Sequence, residues 1–137
     1  MDSVSIVSPV LGNTMGKADS SFVVAEWQDA GAPPEGRRFI APVHVHYRDD
    51  EAWYVVEGAL GVRVGEREVE AHAGDGVFVP RGAPHTYWNA SSQRLRYLLV
   101  MTTRTHQLIQ ELHSTPNRTF AMTQAIFRKY DSELLNS

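Results

Sequence analysis

The sequence predicts a mainly β protein, a barrel or sandwich of short antiparallel strands completed by one or two short C-terminal helices. Three observations lead there. Between Trp53 and Met101, short runs rich in Val, Tyr, Trp and Leu follow one another (WYVVEG, LGVRVG, REVEAHAG, VFVP, TYWN, LRYLLVM), several of them closed by glycine. Within VRVGEREVEA the alternation is clean: Val62, Val64 and Val69 can face a core while Arg63, Glu66, Glu68 and Glu70 face water. Beyond Thr103 the apolar period lengthens. Leu108, Ile109 and Leu112 are spaced for one helical face, Met122, Ile126, Phe127 and Tyr130 for another, and Thr115-Pro116-Asn117 breaks the run between them. Strands this short and this closely spaced exclude a parallel α/β sheet.

Composition narrows the function classes. With 137 residues, 42% of them hydrophobic, the chain suits a single domain over 1–137, with a barrel core at about 20–103 and a helical segment at about 104–131. It contains no cysteine, so any metal must be held by nitrogen and oxygen, and a reducing, cytoplasmic setting is the expectation. The formal charge is −3 and the 13 Lys and Arg residues are scattered, which argues against a nucleic-acid partner and for a small molecule. MDSVSIVSPVLG has neither a basic n-region nor a long apolar stretch, and no apolar run approaches a membrane span. The expectation is a soluble, unexported protein.

In chain order, residues 1–20 hold two short apolar runs, Val4 to Val7 and Val10 to Leu11, read as an arm or edge strand against the barrel or a second subunit. Phe22 to Trp27 is a strand, stopped by the Gly- and Pro-rich QDAGAPPEGRR. Phe39 to Tyr47 is the next strand, and Pro42 inside it demands an edge position or a bulge, because proline donates no ladder hydrogen bond. Gly58, Gly74 and Gly82 fall where strands must turn. The two C-terminal helices are too short to stand alone and must dock on the barrel's outer face or near its mouth, with exterior cladding favoured over gating a site.

The chemistry concentrates in two stretches, HVHYRDDEAWYVVEG (44–58) and GDGVFVPRGAPHTYWN (74–89). On a strand, His44 and His46 leave the same face. A carboxylate follows within the next turn, where Asp49, Asp50 and Glu51 compete, and His85 arrives from the second stretch. Three imidazoles and a carboxylate suit a first-row divalent metal with open coordination positions. His72, His106 and His113 have no partner at ligand spacing and read as ordinary solvated residues. By their two-residue offsets from Glu51 and His85, Trp53 and Tyr87 should wall the pocket, and Phe78 joins them as a third candidate. Asn89 reads as a structural group bonding backbone.

These stretches resemble the paired motifs of the cupin superfamily. The first motif, Gly, five residues, His-x-His, three or four residues, Glu, six residues, Gly, is matched at His44, His46, Glu51 and Gly58, with Arg38 where the opening glycine belongs. The second, Gly, five, Pro, x, Gly, two, His, three, Asn, is matched throughout at Gly74, Pro80, Gly82, His85 and Asn89. A chance match of the second is on the order of 10⁻⁷ per start position, given average usage of these residues. The resemblance implies a double-sheet jelly roll with His44, His46, Glu51 and His85 as ligands of one divalent metal (Fe, Mn, Ni, Cu or Zn), Glu51 being preferred to its rivals by its distance to Gly58. The tail FRKYDSELL is similar to the C-terminal helix ending of small quercetinase-like cupins.

From that resemblance the leading expectation is a dioxygenase acting on a small enol- or phenol-bearing molecule, flavonol- or diketone-like, with Glu51 as base and Tyr87 orienting substrate or passing a proton. The alternatives are a non-redox isomerase, epimerase or polyketide-cyclase-like enzyme, and a non-catalytic ligand-binding barrel. A homodimer is the expected assembly.

Overall fold

The computed structural model describes residues 4–135, so the ends of the predicted 1–137 domain, residues 1–3 and 136–137, lie outside the described residues. Its strands are β1 (Thr14–Met15), β2 (Phe22–Asp29), β3 (Phe39–His46), β4 (Glu51–Glu57), β5 (Ala59–Val64), β6 (Arg67–His72), β7 (Gly76–Val79), β8 (His85–Asn89) and β9 (Leu95–Thr102). The helices α1 (Thr103–His113) and α2 (Phe120–Lys129) follow, and β10 (Ser132–Leu134) closes the series. They form two five-stranded sheets of order β1-β2-β9-β4-β7 and β10-β3-β8-β5-β6, every strand pair antiparallel. This is the predicted mainly β jelly roll.

The core follows from period-two patterning. On β9, Leu95, Tyr97, Leu99 and Met101 are buried in alternation with half-exposed neighbours. They meet Val23 and Ala25 of β2, Trp53 and Val55 of β4, and Leu60 and Val62 of β5 in one cluster, with Val64 and Val69 packed at its margin. Each fully buried aliphatic side chain contributes about 1.5–3 kcal/mol relative to an exposed one. The turns obey the glycine placement: Gly58, Gly74 and Gly82 all have positive φ. Gly58 is the most constrained, since at φ 90° a Cβ would also run into the backbone of Arg94 and Leu95.

Pro42 sits at a bulge. The β3–β8 register shifts on both sides of Ala41, and β10 pairs with β3 only from His44 to His46, so proline meets no ladder it must serve. The predicted N-terminal arm is a short edge: β1 pairs with β2, and Leu11 bridges Glu26, while Val4 and Ile6 are exposed.

The C-terminal third brings one correction and one choice between positions. The segment DSELL does not extend a helix: α2 stops at Lys129, Asp131 turns with φ 56°, and Ser132–Leu134 adds a strand to β3. The free edge of β3 satisfies that backbone better than another helical turn would, since the pairing is fixed by tertiary contact rather than local propensity. Of the two positions open to the helices, they take the barrel mouth rather than the outer face. There Leu108, Ile126, Phe127 and Leu134 form a second buried cluster. The helices' N-termini are capped: Thr102 accepts from the Thr105 amide, and Thr119 from that of Met122. Arg104 ties α1 to the turn before β10 through Asp131 at 2.8 Å.

Candidate metal centre

Adjacent strands deliver the four predicted ligands to one point. His44 and His46 leave β3 inward, and His85 opens β8 directly opposite His44. Glu51 opens β4 in the other sheet, so the cluster bridges the two layers. All four side chains are buried, and their ligating atoms lie within 4.8 Å of one another. Ligands about 2.1 Å from a common ion end up no more than about 4.2 Å apart, so this spread is close to what one ion requires. Asp49 and Asp50 drop out as rivals. Asp50 is turned to Arg81, accepting from its amide at 2.8 Å and its guanidinium at 3.0 Å, and Asp49 lies 3.8 Å from Arg104.

Hydrogen bonds around the cluster define its electronic character. The His44 Nδ1–H donates to the Pro42 carbonyl at 2.6 Å, and that of His85 to the Ala83 carbonyl at 2.9 Å. His46 Nδ1 faces Ser132 Oγ at 2.7 Å. Ser132 gives its only proton to the Tyr130 carbonyl at 3.1 Å, so it must accept from His46. With every Nδ1 donating outward, every neutral ring points an Nε2 lone pair inward. Glu51 Oε1 nevertheless lies 3.0 Å from His85 Nε2 and 3.2 Å from His46 Nε2. Acceptors gathered this closely in a dry site repel unless a cation or proton sits among them, so the donor set fits a metal.

Charge balance agrees. Burial, followed by the neighbouring His85 and His46, pushes the His44 imidazole down to about 3, which keeps it neutral and able to ligate. Burial alone would raise the Glu51 carboxyl, but the His46 and His85 rings, which lower it when a proton sits between Nε2 and Oε1, outweigh burial and hold the group well below the usual carboxylate range. An anion held that firmly suits a ligand better than a general base. Burial and the Glu51 charge push the Tyr87 phenol up to about 12, so Tyr87 is a neutral hydroxyl that can donate a hydrogen bond.

The cluster opens into a cavity of about 220 Å³. His44, His46, Glu51 and Tyr87 line it, as do Trp27, Ile40, Tyr97 and Leu99 from the barrel and Leu108, Ile109 and Phe127 from the helices. The Phe127 ring stands 5.5 Å from that of His44, covering the ligands from above.

Of the three predicted wall residues, only Tyr87 lines this space. Trp53 does face inward, but its ring packs 5.8 Å from His85 and 5.3 Å from Tyr87 and lies behind both. Phe78 points the other way. The β4–β7 register sets Glu51 opposite Val79 and Ala52 opposite Phe78, so Val79 is buried and Phe78 is 64% exposed on the outer face. Among the remaining histidines, His72 is exposed beside Glu70, and burial lowers the half-buried His106. His113 is exposed, as read, and also meets Trp27 edge-on at 5.3 Å where it borders the cavity. Sequence reasoning missed Trp27, Tyr97 and Leu99, although the alternation of β2 and β9 places them inward; it missed Ser132 because nothing local signals a strand there. Asn89 is structural as predicted, donating to Gln93 and Asp29 and accepting from the Ser91 amide.

Comparison with known proteins gives a consistent picture. The family profile described as "Cupin domain" matches residues 34–101, a span containing all four residues of the cluster. No curated protein matches the chain in sequence. A solved protein of Thermus thermophilus is 30% identical with TM-score 0.51, over 60% of this chain and 72% of its own. A structure from Silicibacter pomeroyi, described as a sugar phosphate isomerase from a cupin superfamily, is 26% identical with TM-score 0.52, over 61% of this chain. This chain spans only 51% of that enzyme's length. A cupin protein of Bacteroides fragilis, 17% identical with TM-score 0.56 over 74% of this chain and 82% of its own, shares the fold. With its two motifs folded into one buried cluster, the chain belongs to the cupin superfamily.

Proposed function

We propose that the chain is a metal-dependent cupin enzyme, a dioxygenase acting on a small enol- or phenol-bearing molecule. The observation that carries this reading is a buried cluster of three imidazoles and one carboxylate at the floor of a largely apolar, aromatic-walled cavity. A divalent transition metal bound by His44, His46, Glu51 and His85 would supply Lewis acidity and, if redox-active, access to dioxygen. The chain's own residues do the rest. Leu108, Ile109 and Phe127 exclude water, and Tyr97 and Leu99 hold a flat body against the opposite wall. Tyr87, protonated at neutral pH, donates to a substrate oxygen. Cavities for drug-sized ligands run to about 300–1,000 Å³, so this smaller space favours a single-ring or diketone-sized substrate over a flavonol.

A second reading, a non-redox isomerase, is favoured by the likeness to the Silicibacter pomeroyi protein. The lining argues against the polyol body of a sugar phosphate, because Ile40, Leu99, Leu108, Ile109, Leu112 and Phe127 give its hydroxyls no partner. The working assembly we propose is a homodimer, supported by the exposed Val4 and Ile6 of the N-terminal arm; light scattering giving a clean monomer at micromolar concentration would remove it.

The deciding experiment is elemental analysis of untagged protein purified without chelator, paired with oxygen uptake against catechols, flavonols and diketones. One equivalent of a redox metal with uptake supports the dioxygenase. Stoichiometric zinc without uptake moves the assignment to the isomerase.

A further inference from the structure

The cavity has two chemically different ends. Glu51 and the histidines form one, level with Met101 in the β4–β9 register. Trp27 lies level with Tyr97 in the β2–β9 register, four residues along the same strand, so the ends are about 13 Å apart at the backbone. Helix α1 spans that length, with Thr105, Leu108, Ile109, Leu112 and His113 lining the cavity one turn after another.

At the far end stands Arg118. Its Nη1 donates to the carbonyls of Leu112 and, at 2.9 Å, of Thr115, so the last turn of α1 and the loop after it hold the guanidinium in place. Among the described residues, no hydrogen bond engages its Nε or Nη2, and no carboxylate pairs with it. His113 borders the same end, and the Trp27 Nε1–H beside it is buried without a partner. Glu51, at the opposite end, is the only carboxylate among the described residues that line the cavity.

We propose that Arg118 receives the carboxylate of a ligand whose other, oxygen-donating end lies at the histidine cluster. The proposal rests on the metal-centre reading above and names its substrate class: a small, flat molecule with a phenol or enol oxygen at one end and a carboxylate at the other. A guanidinium already fixed on one edge offers a planar pair of donors on the remaining one, which matches carboxylate geometry. The apolar walls between the two ends fit an unsaturated body rather than a polyol.

The test compares caffeate with its methyl ester, identical at the catechol end and different only in charge at the other. Binding is measured by calorimetry on zinc-loaded protein, which keeps oxidation out of the readout. Wild type is expected to bind caffeate at least about tenfold tighter than the ester, as one charged, bidentate contact implies. Arg118→Gln should bring the two within about twofold, Arg118→Glu should reverse the order, and Lys129→Gln, the same charge change away from the cavity, should leave the preference intact. Equal affinities in wild type overturn the proposal whatever the variants do. So does a preference that survives Arg118→Gln, failure of both probes to bind, or Arg118-dependent binding of glucose 6-phosphate in place of caffeate. An intact acid preference without oxygen uptake by iron-loaded protein would remove the dioxygenase reading and leave this subsite standing.

Discussion

Ser132 Oγ lies 2.7 Å from His46 Nδ1, although 86 residues separate them. Register makes the contact, since Ser132 is the cross-strand partner of His46 in the β3–β10 pair. The C-terminal strand therefore does more than close a sheet: it sets the tautomer of a histidine in the buried cluster. Ser132→Ala should weaken metal affinity about 10- to 100-fold, as loss of outer hydrogen bonds to a ligating histidine generally does. Competition with a chromophoric chelator would measure it. Unchanged affinity would mean that His46 is oriented by packing alone.

The ligand assignment itself is tested by comparing histidines. His85→Ala or Glu51→Gln removes a group of the buried cluster, whereas His72→Ala removes an exposed ring paired with Glu70. Metal content per chain should fall steeply in the first two variants and stay at the wild-type level in the third. Equal occupancy in all three would refute the site.

Acid should destabilise the metal-free protein. Unfolded, His44 takes up a proton near its ordinary 6.5; folded, only near 3. Between those values the unfolded chain binds more protons, so stability rises with pH and is lost as pH falls through that window. Glu51 acts in the same direction, because its folded carboxyl is held below 4.5 and its contribution disappears as pH drops through the folded value. Melting temperature of apo protein should decline from about pH 6.5 downward, and His44→Gln should flatten the upper part of that decline. A pH-independent melting temperature would show that these groups stay hydrated.

Phe127 belongs both to the helical cluster and to the cavity roof. Phe127→Ala should cost about 3–5 kcal/mol of stability, as for other buried Phe→Ala changes, and should admit larger ligands. Denaturant unfolding gives the first effect and flavonol binding the second. Full stability in the variant would place the helices loosely on the barrel.

Much of this molecule is legible along the chain, and the reason is locality. Strand, turn and ligand spacing repeat over a few residues: alternation in β6, glycine at positive φ at positions 58, 74 and 82, and His-x-His on one strand face all follow from backbone geometry. The same rule of alternation would have placed Phe78 outward and Tyr97 inward had the β4–β7 and β4–β9 registers been known, but register is a relation between strands. Depth is likewise invisible in one dimension, which is why Trp53 is inward yet lies behind His85 and Tyr87.

Local pattern thus settles the jelly roll and points to the four residues of the buried cluster, because each depends on residues a few positions apart. Three-dimensional packing decides the rest: that DSELL becomes a strand beside β3, that Ser132 reaches His46, and that α1 and α2 roof the cavity. Each of those outcomes is a choice of partner between segments distant in sequence, made by which free sheet edge and which uncovered apolar mouth remain once the barrel has closed.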